Sequence, residues 1–215
     1  MRPCRSIEGL RLVAKRHLSR FRDLAQNALV LPRPDSDRIV SYICIECLSS
    51  WHNFCRSYFL SCILRPKTLS GHTILVNSHV CTFSDAIDVS MMTCKRHLWE
   101  RGSWDRRDEP IWRDPEIFVK NCEAIGCSNI DKIQSTFSIP TKVLKHLTVL
   151  RNYYCHRSDD TIKKVRDLAF YYSISIPFKP SHPTDILLLP AYDRPQALLL
   201  DWLDDIEIYI DLLCD

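Results

Sequence analysis

Apolar residues recur at helical spacing along most of the chain. Over residues 6–31, Ile7, Leu10, Val13, Ala14, Leu18, Phe21, Leu24, Ala25 and Leu29 follow the i, i+3, i+4 pattern with basic residues between them. That spacing predicts an amphipathic helix, ended by Pro32 and Pro34. Asp35-Ser36-Asp37 offers an N-cap for a second helix over roughly 37–64, closed by Arg65-Pro66. Within it Trp51, Phe54 and Tyr58 form one core stripe, while His52 and Arg56, four apart, share another face. Residues 67–82 contain Gly71 and the β-leaning Thr73-Ile74-Leu75-Val76, which reads as a loop with room for a short strand.

Thr82-x-x-Asp85 starts a third helix running to about residue 98, although such a box normally ends in Glu or Gln. Trp99 to Asp114 is a polar stretch that also carries Trp99, Trp104 and Trp112. A long loop with aromatics is usually functional or packed across a subunit contact. Asp114-Pro115-Glu116 combines an N-cap, Pro at the first helical position and an acid in the first turn, and that helix ends near Gly126. A short piece near 129–137 follows. The next helix opens at Ile139-Pro140-Thr141 with Val143, Leu144, Leu147, Leu150 and Tyr154 inward, and Ser158 caps another over 159–173. A Pro-rich loop (Pro177, Pro180, Pro183, Pro190) leads to Asp193-Arg194-Pro195-Gln196, which reads as a capping box for a last helix over 194–213. No alternation is long enough for a sheet, and there is no internal repeat. The expected fold is an all-α bundle of up-down helices with long irregular loops. One domain over 1–215 is expected, with an insertion over 67–114 allowed.

Composition narrows the function. Four glycines and the absence of GxGxxG or GxxxxGK[ST] remove the usual nucleotide-binding loops. The net charge of +3 says little by itself, but its distribution is uneven. Residues 1–34 carry Arg2, Arg5, Arg11, Lys15, Arg16, Arg20, Arg22 and Arg33 against Glu8 and Asp23. Residues 185–215 carry Asp185, Asp193, Asp201, Asp204, Asp205, Glu207, Asp211 and Asp215 against Arg194. The basic first helix can face RNA or pair with the acidic last helix, and the intramolecular pairing is the plainer expectation.

The cysteine count is 11, mostly within apolar helical patterns. With no apolar run of membrane-spanning length and no signal-peptide core, a cytoplasmic protein with reduced thiols and no membrane partner is expected. Cys44-x-x-Cys47 lacks the second pair that zinc needs, and Cys122-x4-Cys127 is weaker still, so packing is the expectation for both. No metal and no cofactor is expected.

One stretch has the character of a site: Leu147-Thr148-Val149-Leu150-Arg151-Asn152-Tyr153-Tyr154-Cys155-His156-Arg157, followed at once by Ser158-Asp159-Asp160. Other Arg/His pairs of similar spacing lack its setting. Arg11 and His17 lie inside one continuous helix, and Arg65 precedes Pro66 in a loop. Only Arg151 is followed by Asn, preceded by a core-facing helix and succeeded by a capped second helix. This R-N-x-x-x-H arrangement resembles the signature of the HEPN superfamily over roughly residues 140–173.

The resemblance implies an HEPN-like all-α protein acting as a metal-independent endoribonuclease, of the kind found among toxins and defence effectors. It implies a homodimer, an RNA substrate and an antitoxin or regulatory protein partner. The chemistry is coherent. RNA carries its own nucleophile, the 2′-OH, so cleavage needs a base, an acid and cations around the phosphorane. His156 is then the acid/base, Arg151 the phosphate clamp and Asn152 a positioning residue. The expected product is a 2′,3′-cyclic phosphate. His52, Arg56 and Arg157 are candidates for extending the RNA surface.

Five residues of ideal helix rotate by about 500°, leaving Arg151 and His156 about 140° apart. Either His156 lies where the helix unwinds or Arg151 reaches around. Two copies meeting across a two-fold axis are the other way to bring such pairs into one cleft. The alternatives are a non-catalytic HEPN-like module that binds RNA or protein, or a purely structural role. In the structural role Arg151 pairs with Asp159 or Asp160 and His156 favours the helix C-terminus.

Overall fold

A computed structural model describes residues 1–94, 105–174, 182–192 and 194–215. Among them are nine α-helices: α1 (Ile7–Val30), α2 (Asp35–Cys62), α3 (Phe83–Cys94), α4 (Pro115–Ala124), α5 (Ile130–Phe137), α6 (Val143–Cys155), α7 (Asp159–Tyr171), α8 (Thr184–Leu187) and α9 (Leu198–Cys214). Pairing of extended backbone is limited to isolated bridges, two of them at Lys67, with Ser6 and with Thr73. The expected all-α bundle is what the chain forms, and the β-leaning run after Gly71 contributes a single bridge rather than a strand.

The described chain divides into two compact units. One holds residues 1–14, 50–140 and 209–215, the other residues 15–49 and 141–208. Helices α1, α2 and α9 contribute a part to each.

In the first unit the aromatic stripe of α2 forms the core. Trp51 stacks on Phe54 at 5.7 Å between ring centroids, and Phe59 lies 4.7 Å from Trp112. Phe118, Phe137 and Tyr209 complete the cluster, edge to face or tilted. Trp112 therefore packs into its own core, fully buried, rather than waiting for a ligand or a second subunit. Trp99 and Trp104 lie outside the described residues. The Thr82 box closes with an acid one methylene shorter than usual: Asp85 N–H donates to Thr82 Oγ1, and Asp85 Oδ2 accepts from Thr82 N–H at 2.8 Å. Helix α4 begins as expected, with Asp114 accepting from Glu116 and Ile117 N–H. Beyond its C-terminus Gly126 adopts φ +68° hard against the Asn77 side chain, where no Cβ fits.

In the second unit Leu18, Phe21, Val40, Ile43, Leu147, Leu150, Trp202, Leu203 and Ile206 are all buried. Its helices α6 and α7 are joined by two residues. The basic first helix and acidic last helix pair within each unit: Arg11 with Asp211 at 2.6 Å in the first, and Lys15 with Glu207 at 2.5 Å and Arg22 with Asp204 at 2.7 Å in the second. Arg22 also reaches Glu207. These pairs engage α1 with α9, which is the plainer of the two expectations for its charge. Burial works against ionisation of Glu207, but hydrogen bonds from Lys15 and Arg22 outweigh it and lower its pKa.

Two expectations about the C-terminal region change. The last helix starts at Leu198, not 194, and Ala197 just before it is bridged back to Pro190. Asp193, which would open the expected capping box, lies outside the described residues; the Gln196 amide donates to Asp201 and Asp204. The Pro-rich stretch also contains α8, a single turn begun by His182 N–H and Thr184 around Asp185, His182 and Pro183.

Candidate functional site

Helix α6 follows from its apolar face: Val143, Leu144, Leu147, Leu150 and Tyr153 are buried. Tyr153 takes the inward position expected of Tyr154, which is half-buried. The helix ends where the sequence turns polar. His156 is its C-cap, with φ −144° and ψ 72°, and its N–H closes the last bond to Asn152 C=O at 2.8 Å. Ser158 then caps α7, its Oγ accepting from Thr161 N–H, while Thr161 Oγ1 accepts from Ser158 N–H at 2.9 Å. Thr161 Oγ1 also lies 3.2 Å from His156 C=O, so the cap of the second helix ties down the backbone of the last residue of the first.

This joint resolves the helical-wheel conflict. His156 sits outside the regular turn, and its direction is not bound by the 140° that an unbroken helix imposes. Its side chain is exposed and has no hydrogen bond among the described residues. Arg151 and Asn152 are half-buried, and Arg151 Nη1 donates to Asn152 Oδ1 at 3.4 Å, a long contact. Neither Asp159 nor Asp160 takes the Arg151 guanidinium; Asp160 accepts from Lys164 at 2.6 Å instead. Arg157 lies over the Tyr153 ring, 5.3 Å from its centroid. The stretch from Thr141 to Ile174 carries seven basic side chains and three acidic ones.

His52 and Arg56 fall in the first unit, whereas Arg151, Asn152, His156 and Arg157 fall in the second. Arg56 is committed to its own fold. Its Nε and Nη2 donate to the two oxygens of Glu109 at 2.5 and 2.7 Å. The Glu109 side chain is 3% exposed. His52 is half-buried, with Nδ1 enclosed and unbonded among the described residues, and burial beside Arg113 lowers its pKa.

His182, which sequence reasoning passed over, stands beside the end of α6. His182 Nδ1 lies 3.3 Å from Asp37 Oδ1 and 2.9 Å from Thr184 Oγ1, and its ring centroid is 6.0 Å from those of both Tyr153 and Tyr154. Burial lowers the His182 pKa, with Arg33 and Arg157 adding to the effect and Asp37 and Asp185 opposing it. His182 Nδ1 also accepts from Thr184 N–H at 3.4 Å, and the approach to Asp37 is a charge contact rather than a hydrogen bond. Tyr154 Oη is enclosed without a partner among the described residues, and burial pushes its pKa far up. The only signal for this grouping in the sequence was the spacing His182-Pro183-Thr184-Asp185, which begins a helical turn.

A second buried histidine serves packing. His146 Nδ1 accepts from Tyr172 Oη at 2.7 Å, and Trp202 Nε1 donates to the same oxygen at 3.1 Å. Burial, with Lys142 and Lys145 nearby, lowers His146 to about 4. All 11 cysteines are free. Cys44 and Cys47 are fully buried, and burial raises both thiols. Cys62, Cys122 and Cys127 are buried in the first unit, where Cys62 Sγ–H donates to Tyr58 C=O at 3.3 Å. No grouping among the described residues has the geometry to hold a metal ion. No described helix is long and apolar enough to cross a membrane.

The fold and joint thus define an all-α helical protein with a polar, cation-bearing junction between two capped helices. Compared with protein-family models, with curated proteins and with solved structures, the chain matches none.

Proposed function

We propose that the chain is a metal-independent endoribonuclease of HEPN type, with the α6–α7 joint as its active site. One observation carries the reading: among the described residues, His156 leaves α6 as an exposed C-cap without a side-chain hydrogen bond, five residues after an Arg151 that pairs with no carboxylate. An arginine held only by a neighbouring amide keeps its charge and donors for a phosphate. An exposed imidazole whose backbone is tied at both faces is placed for proton transfer. Asn152 orients the guanidinium. Cleavage proceeds by attack of the 2′-OH on the adjacent phosphorus and gives a 2′,3′-cyclic phosphate and a 5′-OH end. Arg157, next to the joint, contacts RNA outside the scissile phosphate. The working form is a homodimer, which places a second Arg151 clamp at the cleft. A toxin or defence role, held in check by a partner protein, fits such an activity.

The test is RNA cleavage by the purified chain in EDTA, with His156→Ala and Arg151→Ala alongside. Cleavage that survives EDTA and is lost in both variants, with thermal unfolding unchanged, supports the reading. RNA that binds without being cut points instead to a non-catalytic RNA-binding module.

A further inference from the structure

Helix α7 leads away from the joint to aromatic side chains that the core does not use. Phe170 is 83% exposed and Tyr192 87% exposed, and Tyr171 is half-exposed beside them in the chain. We propose that this far end of α7 is a stacking platform for an unpaired base of single-stranded RNA, so that the chain cuts at a fixed distance from the base it holds. The proposal rests on the ribonuclease reading above, in which cleavage takes place at the near end of the same helix.

The backbone fixes the platform. Helix α7 buries Val165, Leu168 and Ala169. Phe170 lies across the helix from them, on the stripe that also carries Lys163 and Arg166, seven and four residues earlier. Ser173, at φ 49°, closes the helix in a Schellman turn. Its N–H donates to Phe170 C=O at 3.1 Å, and the N–H of the buried Ile174 donates to Ala169 C=O at 3.0 Å. The Phe170 backbone is therefore bound into the cap while its ring stands in water. Tyr192 joins this end from the segment after α8, its N–H donating to Tyr172 C=O at 3.3 Å. The start of α6 comes to the same end, where Lys142 Nζ lies over the Tyr171 ring, 4.7 Å from its centroid.

The chemistry names the occupant. Exposed rings beside an ammonium offer flat apolar faces next to positive charge. A base carried on a phosphate backbone uses both, by stacking and by ion pairing. Lys163 and Arg166 make no ion pair among the described residues, whereas Lys164 on the neighbouring stripe is spent on Asp160. Lys142 and Lys145 are exposed at the start of α6. Asp159 and Asp167 share the outer side of α7, so the phosphates meet separate cations rather than an unbroken basic track. Duplex RNA does not fit, because its bases are stacked on one another already. The 13 residues of α7 span about 20 Å, which sets the separation between the held base and the scissile phosphate.

The experiment uses 2′-deoxy strands with a single ribonucleotide, which fixes the point of cleavage, and moves one abasic nucleotide along the strand. For the wild type, KM should rise about 10-fold at one offset from the ribonucleotide with kcat little changed, since the held base is remote from the reacting atoms. Phe170→Ala and Tyr192→Ala, each checked by thermal melting, should raise KM for the intact strand and together remove the abasic penalty. Phe170→Trp should keep the penalty and Phe170→Leu should not, because leucine packs but does not stack. Lys163→Gln combined with Arg166→Gln should make KM less sensitive to salt.

A penalty at no offset, or one that survives the Phe170→Ala/Tyr192→Ala double variant, overturns the proposal while leaving the cleavage reading intact. If the wild type cuts neither these strands nor all-RNA, the ribonuclease reading ends. Wherever a strand is left uncut, its binding by fluorescence anisotropy decides the platform, which requires weaker binding by Phe170→Ala and recovery in Phe170→Trp. Variants that alter the sedimentation of the chain alone and bind RNA as the wild type does assign this end of α7 to a contact between copies, which overturns the platform equally.

Discussion

Arg56 and Glu109 form a two-pronged ion pair that is 53 residues apart in sequence, closed at 2.5 and 2.7 Å and sealed by Trp112 Nε1–H on the same carboxylate. The pair explains why a basic residue on a polar face of α2 is not free surface. It also makes that face a test of the fold rather than of RNA binding. Arg56→Ala leaves the Glu109 carboxylate buried with, among the described residues, an indole donor from Trp112, and such uncompensated charges cost about 3–5 kcal/mol. Denaturant unfolding should show a loss of that order. The variant's RNA affinity, measured below its unfolding midpoint, should match that of the wild type.

His146 gives the chain an acid-sensitive core. Its pKa in the folded state is about 4, against about 6.5 for an unfolded histidine. The unfolded chain therefore binds more protons between those values, and stability falls as pH drops. The stabilisation is complete above about pH 6.5 and is progressively lost as pH approaches 4. Thermal melts across that range should show a steeper fall for the wild type than for His146→Phe. The phenylalanine variant will be less stable at pH 7, because Tyr172 loses its acceptor. Equal slopes for the two proteins would show that His146 is not the group responsible.

Ser158 links stability to the proposed site. Its side chain caps α7, and the same cap holds Thr161 against the His156 carbonyl. Ser158→Ala should cost about 1 kcal/mol, the usual value for a lost N-cap. It should lower RNA cleavage by more than the unfolded fraction accounts for, since His156 loses its anchor. Ser158→Asp, which restores an acceptor and favours a helix N-terminus, should recover both. Recovery of stability without recovery of cleavage would separate the cap from the site.

The amino-acid pattern by itself determined the all-α class, the start of α4 at Asp114-Pro115 and the joint between α6 and α7. These depend on local chemistry: apolar spacing, capping side chains and proline, all of which act within a few residues. The attraction between the basic first helix and the acidic last one was legible too, as opposite charge at the two ends of the chain. Tertiary structure alone decided which charges are spent. Arg56 and Arg151 were both candidate RNA contacts in sequence; Arg56 meets a buried carboxylate from a distant loop, and Arg151, among the described residues, meets Asn152. Trp112 looked like a residue awaiting a partner and is fully buried in its own unit. The last helix begins at Leu198, directly after the bridge between Ala197 and Pro190, a pairing that no cap signal reveals. His182 reached the end of α6 from a proline-rich stretch with no helical pattern, and Asp37 reached it from the start of α2. Spacing along the chain carries no trace of such meetings, because they depend on how separate elements fold back on one another.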